Sequence, residues 1–187
     1  DLHDAVAQFG NGTSTRSVPQ CRFRNVYVIQ KPRQVDGSIS ASGAITLTGT
    51  GNGINSAEGL RLGSSISGSA IAIVADTMNL ASGLNANGGT ISVRPKTAGT
   101  PLNLGGFDVL TGSPKTLGLT DQELDGMSAG QILLGDSTTG PVTVSAAISR
   151  SSSTNVSLTS AGAIQFTTGS ISTAGGNLTL DAGTFVS

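Results

Sequence analysis

The sequence predicts an all-β chain wound as a β-solenoid, with three short strands in each coil of about 22 residues. Three interleaved series of apolar pairs carry that expectation. Ile132 and Leu134 are answered by Val156 and Leu158, then by Leu178 and Leu180. Val142 and Val144 are answered by Ile164 and Phe166, then by Phe185, while Ile148 is answered by Ile171. Within each pair one outward residue, most often small and polar, separates two inward side chains, the pattern of a strand with one buried face. Gly and Ser clusters between the pairs supply corners. Series that share one period mean one strand of each series per coil.

Residues 1–36 stand apart as a non-repeat segment, a cap or a linker. They hold Arg16, Arg22, Arg24, Lys31 and Arg33, half of the 10 basic residues, together with the single histidine, His3, and the single cysteine, Cys21. Asp4 to Phe9 is expected to form a helical turn before Gly10-Asn11-Gly12, and Val26 to Ile29 a strand. The coiled shaft occupies 37–187. Its first series is Ile45 and Leu47, Ile71 and Ile73, then Ile91 and Val93. A second takes Ile54, Met78 with Leu80, and Leu102 with Leu104; a third takes Ile39, Leu60 with Leu62, and Leu84. The spacing drifts between about 20 and 26 residues, as it does when corner loops vary and stacked strands do not.

An insertion at 105–130 interrupts the winding. Thr120 followed three residues later by Glu123 matches a capping box, so a short helix is expected near 119–128, with Leu124 and Met127 on its apolar side. Coiling resumes at Gln131. Residues 37–187 then make about six or seven coils and a rod about 30 Å long.

Composition narrows the function. Charged residues are 11% of the chain and net charge is −1, so no global field attracts nucleic acid or anionic lipid. Aromatic residues are 3% and Trp is absent, which leaves few platforms for stacking bases or sugars. Regularly placed Ile, Leu and Val argue against disorder. One cysteine excludes an internal disulfide and a thiolate metal cage. No apolar run is long enough to span a membrane, and residues 1–36 lack the pattern of a signal peptide. The chain starts without Met and stops in mid-pattern at Phe185-Val186-Ser187, and it reads as a piece of a longer rod.

No residues are assigned to catalysis, cofactor binding or metal binding. Asp121, Glu123 and Asp125 lie where carboxylates favour a helix start. Asp76, Asp108, Asp136 and Asp181 do not recur at coil spacing, and Arg61, Arg94 and Arg150 are not expected to pair with an acid one coil away. The paired carboxylates of glycoside hydrolysis are therefore not expected. His3 and Cys21 have no partners that complete a mechanism. The basic residues from Arg16 to Arg33 read as a solvated surface.

The stretch Leu117-Gly118-Leu119-Thr120-Asp121-Gln122-Glu123-Leu124-Asp125, then Met127-Ser128-Ala129-Gly130 and Ile132-Leu133-Leu134-Gly135-Asp136, resembles a segment of filamentous-haemagglutinin-like exoproteins, the cargo of two-partner secretion. Gly175-Gly176-Asn177-Leu178-Thr179-Leu180-Asp181 is similar to their repeating coil. The resemblance implies a right-handed parallel β-helix, export through an outer-membrane transporter, and a place at the surface of a Gram-negative bacterium. It also implies contact with a host or neighbouring-cell glycan or protein. The expected role is a non-catalytic structural or adhesive shaft. A self-assembling filament subunit, joined through the β-helix ends, is the alternative, and a polysaccharide-processing β-helix a weaker one.

Overall fold

The structure, a computed structural model, describes residues 38–49 and 59–184 together with the backbone of three earlier strands, Ala5–Phe9, Val26–Gln30 and Gln34–Val35. His3, Cys21, the basic residues Arg16 to Arg33, Ile54 and Phe185 lie outside the residues so described. The fold is mainly β, with parallel sheets stacked in register as in a parallel β-solenoid. One sheet takes strands from Ala5 to Ala182. Its eight strands are Ala5–Phe9, Val26–Gln30, Ala44–Gly49, Ala70–Val74, Thr90–Arg94, Gln131–Leu134, Asn155–Ser160 and Leu178–Ala182. Every neighbouring pair in it is parallel.

The register sets one column over Ile45, Ile71, Ile91, Ile132, Val156 and Leu178, and a second over Leu47, Ile73, Val93, Leu134, Leu158 and Leu180. Val156 thus lies one coil from Leu178, in register with it. Strand alternation turns both columns inward, and from Ile45 to Leu158 every member is buried. Burial of each such side chain contributes about 1.5–3 kcal/mol.

Two further faces close the coil. The second carries Gln34–Val35, Leu60–Leu62 and Met78–Leu80 in one sheet, and Leu117–Leu119, Leu102–Leu104, Val142–Val144 and Ile164–Phe166 in another. The third carries Ile39–Ser40, Ile66–Ser67, Leu84–Asn85 and Met127–Ser128, then separately Ala147–Ser149 and Ser170–Ser172. Val142 and Val144 are buried beneath Ile164 and Phe166, and Ile148 pairs with Ile171.

Several expectations need correction. Ala5–Phe9 is a strand paired with Val26–Gln30, where a helical turn is expected, and Val26–Gln30 pairs in turn with Ala44–Gly49. Alternation along Ala5–Phe9 is too short to read against the helix-forming residues it contains. Leu60 and Leu62 stack beneath Met78 and Leu80 on the second face, and Ile66 takes the place on the third between Ile39 and Leu84. The coil from Ile45 to Ile71 is longer than the nominal one, and counting at a fixed period misassigns the strands after its long corner. Phe166, Leu178 and Leu180, expected in the core, are 42%, 40% and 48% exposed, and Ile164 and Ile171 are half-buried. They belong to the last strands of their sheets among the described residues, where the columns have a neighbour on one side only.

A row of buried hydroxyls lines the corner after the long sheet: Thr77, Thr100, Thr139 and Ser160. Bonds to the neighbouring coil or to the residue's own turn satisfy such groups. Thr77 Oγ1 accepts from the Gly59 N–H at 2.8 Å, Thr139 Oγ1 from the Asp136 N–H at 2.8 Å, and Ser160 Oγ donates to the Gly140 carbonyl at 2.8 Å. At the opposite corner a Cβ on Gly89 would lie 2.0 Å from the Ser69 carbonyl oxygen, so glycine lets consecutive coils touch there. Among the described residues no helix is long and apolar enough to cross a membrane.

Because each inward residue packs between coils on both sides, Leu104→Ala is expected to lower unfolding free energy by about 2–5 kcal/mol. Ser92→Ala, on the outward face of the long sheet, should change it by less than about 0.5 kcal/mol. Urea denaturation followed by circular dichroism measures both.

Candidate functional site

The coil that starts at Thr90–Arg94 is the irregular one, with Ile91 and its partner Ile132 nearly two nominal periods apart in sequence. After Leu102–Leu104 the chain loops out, forms an antiparallel bridge between Val109 and Thr116, and returns as Leu117–Leu119. That returning strand pairs with Leu102–Leu104 on the side away from Val142–Val144. It meets no ladder of Met78–Leu80, so the second face is split between Met78–Leu80 and Leu117–Leu119.

Two carboxylates bridge the split. One coil earlier, Leu60 donates its N–H to the Thr77 carbonyl in the ordinary parallel manner, at 3.2 Å. The equivalent Met78 N–H instead donates to Asp108 Oδ2 at 2.6 Å, and Leu80 N–H donates to Glu123 Oε1 at 3.0 Å. Asp108 Oδ1 accepts from the Gly118 N–H at 2.6 Å, joining both banks of the split. Side-chain oxygens thus stand where a neighbouring strand would present carbonyls, and ionised acceptors make the stronger bonds. A Cβ on Gly118 would fall 2.1 Å from the Phe107 carbonyl carbon, so only glycine allows the loop to cross here and deliver Asp108.

The helix is Asp121–Asp125, shorter than the expected span near 119–128 because Met127–Ser128 already belongs to the third face. Thr120 caps it. Thr120 Oγ1 accepts from the Glu123 N–H at 3.3 Å, and Glu123 Oε2 accepts from the Thr120 N–H at 3.0 Å. Glu123 therefore closes a capping box with one oxygen and holds the Met78–Leu80 edge with the other.

The third face is split as well, between Met127–Ser128 and Ala147–Ser149. A cation bridges this one. Arg150 is buried; its guanidinium donates to the carbonyls of Leu124 and Met127 and lies 3.7 Å from Asp125. Asp121 Oδ1 accepts from the Ser149 N–H at 2.8 Å. Burial pulls the Arg150 guanidinium below its usual pKa, against the charges of Asp125 and Asp121, which push it up. A guanidinium suits the place because the groups left over at a helix end are carbonyls.

The sequence spacing predicts no pairing of these arginines with an acid a coil away, and the structure corrects this. Arg150 pairs with Asp125, and Arg94 Nε lies 3.5 Å from Asp136 Oδ2. Asp136 is one coil above Arg94 in space but far more than one period on in sequence, since the whole excursion intervenes; a fixed spacing conceals the pair. Asp136 Oδ1 also accepts from the Thr138 N–H at 2.8 Å and its hydroxyl at 2.7 Å. Burial alone would raise the Asp136 carboxyl, but the bonds from Thr138 and Thr139 and the Arg94 charge outweigh it and hold it below its ordinary value. Asp76 accepts from the N–H groups of Lys96 and Thr97, at 2.9 and 2.7 Å, and shapes a corner.

Where the second face splits, a cleft of about 520 Å³ opens to solvent. Met78 to Gly83 form one wall, Gly118, Thr120, Gln122, Glu123 and Gly126 the other, and Phe107, Asp108 and Leu110 line it from the loop. The sequence marks none of this as a site, because Asp108 lies close before Gly118 yet well beyond Met78, and no period links them. Among the described residues no group of three or more His, Cys, Asp or Glu side chains is placed to hold a metal ion. Compared with known proteins, the chain matches no family model, no curated protein and no solved structure.

Arg150→Ala takes the guanidinium from two buried carbonyls, leaving Leu124's with only the Gly126 N–H, and is expected to cost about 2–5 kcal/mol, with Arg150→Lys recovering only part because an ammonium does not reach both in one plane. Thermal and urea unfolding of the three proteins tests this. For Asp136 the folded pKa lies below the ordinary 3.8, so its ionised form stabilises the fold above that pH, and the contribution fades as pH falls through the folded value. Asp136→Asn should therefore flatten the loss of stability below about pH 4, read as urea midpoints from pH 7 down to about pH 2.5.

Proposed function

We propose that this chain is a non-catalytic shaft segment of a large exported bacterial surface protein of the filamentous-haemagglutinin-like kind. One observation carries the reading: six successive strands of one sheet stack inward residues in two unbroken columns while loops of very different length leave the rail undisturbed. Such a rail is stiff along its axis, and each coil is supported chiefly by its neighbours. The charged side chains support the same reading. Asp108, Glu123, Asp121 and Arg150 accept or donate bonds that replace missing ladder contacts, and Asp76 and Asp136 hold corners.

In this reading the coils wind to the right, the hand that parallel strand crossovers take almost without exception. Each coil has three strands and a nominal length of about 22 residues, the interval that separates Val156 from Leu178. The shaft passes an outer-membrane transporter during export and holds recognition regions away from a Gram-negative cell, where they meet a glycan or protein of a host or neighbour. It uses no cofactor.

A shaft built of interchangeable coils should lengthen without loss of fold. Three extra tandem copies of residues 156–177, inserted after 177, are expected to extend the particle by about 14 Å in small-angle X-ray scattering, at about 4.8 Å per coil. Resistance to proteolysis should be retained. Aggregation, or an unchanged length, would remove the shaft reading.

A further inference from the structure

From the cleft in the second face we infer a binding site for a short basic peptide segment, an arginine or lysine of a partner protein beside an apolar residue. It goes beyond the shaft reading and does not depend on it, since the cleft is a local consequence of the split.

The walls favour a ligand rich in hydrogen-bond donors. In a strand the N–H and C=O of one residue point to the same side. Met78 and Leu80 give their N–H groups to Asp108 and Glu123, so their carbonyls face the same gap. On the far wall the Gly118 N–H is taken by Asp108, and the Thr120 N–H and hydroxyl by Glu123. The lining thus presents two carboxylates and two strand-edge carbonyls, and among the described residues no lysine, arginine or histidine lines it. Phosphates, sulfates and acidic glycans are repelled by such a wall, whereas a guanidinium or ammonium fits it.

The loop supplies the second half of the match. Phe107 is 83% exposed, the most exposed of the large apolar side chains among the described residues, and lines the cleft with Leu110. An aromatic face beside carboxylates attracts a cation and packs against a neighbouring apolar side chain. That apolar share separates a peptide from a free polyamine, which has no side chain to place there. The volume, about 520 Å³, lies within the range of small-ligand pockets and exceeds what one side chain fills.

The test is an NMR titration of the full 187-residue chain with acetyl-Leu-Arg-Leu-amide. Amide shifts are expected at Met78 to Gly83 and Gly118 to Gly126. Replacing the arginine by citrulline, its neutral isostere, should weaken binding more than about tenfold. Phe107→Ala, at an exposed position, should weaken it about two- to fivefold. Gln122→Lys, which adds a cation to the wall without touching the ladder bonds, should weaken it more than about tenfold. Equal binding of the citrulline peptide, shifts confined to other residues, or indifference to both substitutions overturns the proposal. So does spermidine binding as tightly as the peptide and insensitive to Phe107→Ala, or cellotriose moving these amides where the peptide does not.

Discussion

The parallel register of the long sheet is the constraint on which the rest of the molecule depends. Stacked coils share one ladder, so each inward residue must lie over its equivalent in the coil before. A slip of one position would turn the whole pair toward solvent. Ile45, Ile71, Ile91, Ile132 and Val156 obey this though the length of chain between successive members varies about twofold, the strands holding register while the loops do not. Corners absorb the difference. Where they must be tight, Gly89 lets backbones touch; where they turn sharply, buried threonines such as Thr139 satisfy the N–H groups that the turn frees.

The other two faces lack that continuity, and both lose it around the same excursion. An exposed strand edge or helix end leaves polar backbone groups that need partners when partly buried. The partners are chosen by sign. Carboxylates of Asp108 and Glu123 take the N–H groups of Met78 and Leu80, and the guanidinium of Arg150 takes the carbonyls of Leu124 and Met127. Each also belongs to the element that made the gap or lies beside it: Asp108 is on the loop, Glu123 caps the helix, and Arg150 directly follows the strand Ala147–Ser149 on the far bank. Ladder and excursion are thereby coupled, since the residues that open the faces also hold them together.

In the proposed reading, that coupling relates mechanics to recognition. A uniform shaft offers flat sheets and small polar corners, with little to distinguish one coil from the next. The split coil carries a recess, an exposed aromatic ring and most of the charges that make long-range bonds among the described residues. The long sheet behind it remains unbroken, so a recess appears without interrupting the rail.

By itself the sequence determined the stacking of short strands, the inward pairs of the long sheet from Ile45 to Leu158 and the capping box of Thr120 and Glu123. All three are local or strictly repeating: alternation reads within one strand, a cap within one helical turn, and a column recurs wherever loops keep a steady length. The identity of faces after an irregular corner escaped it, as with Leu60 and Ile66, because one long corner shifts every later count. So did the pairing of Arg94 with Asp136, and the second duty of Glu123 at the Leu80 N–H. Both contacts join positions far more than one period apart, and their meeting depends on how far the excursion travels before the chain returns to the ladder. Only the tertiary structure decides that distance, because the register that brings the chain back is a property of stacked coils and of no single segment.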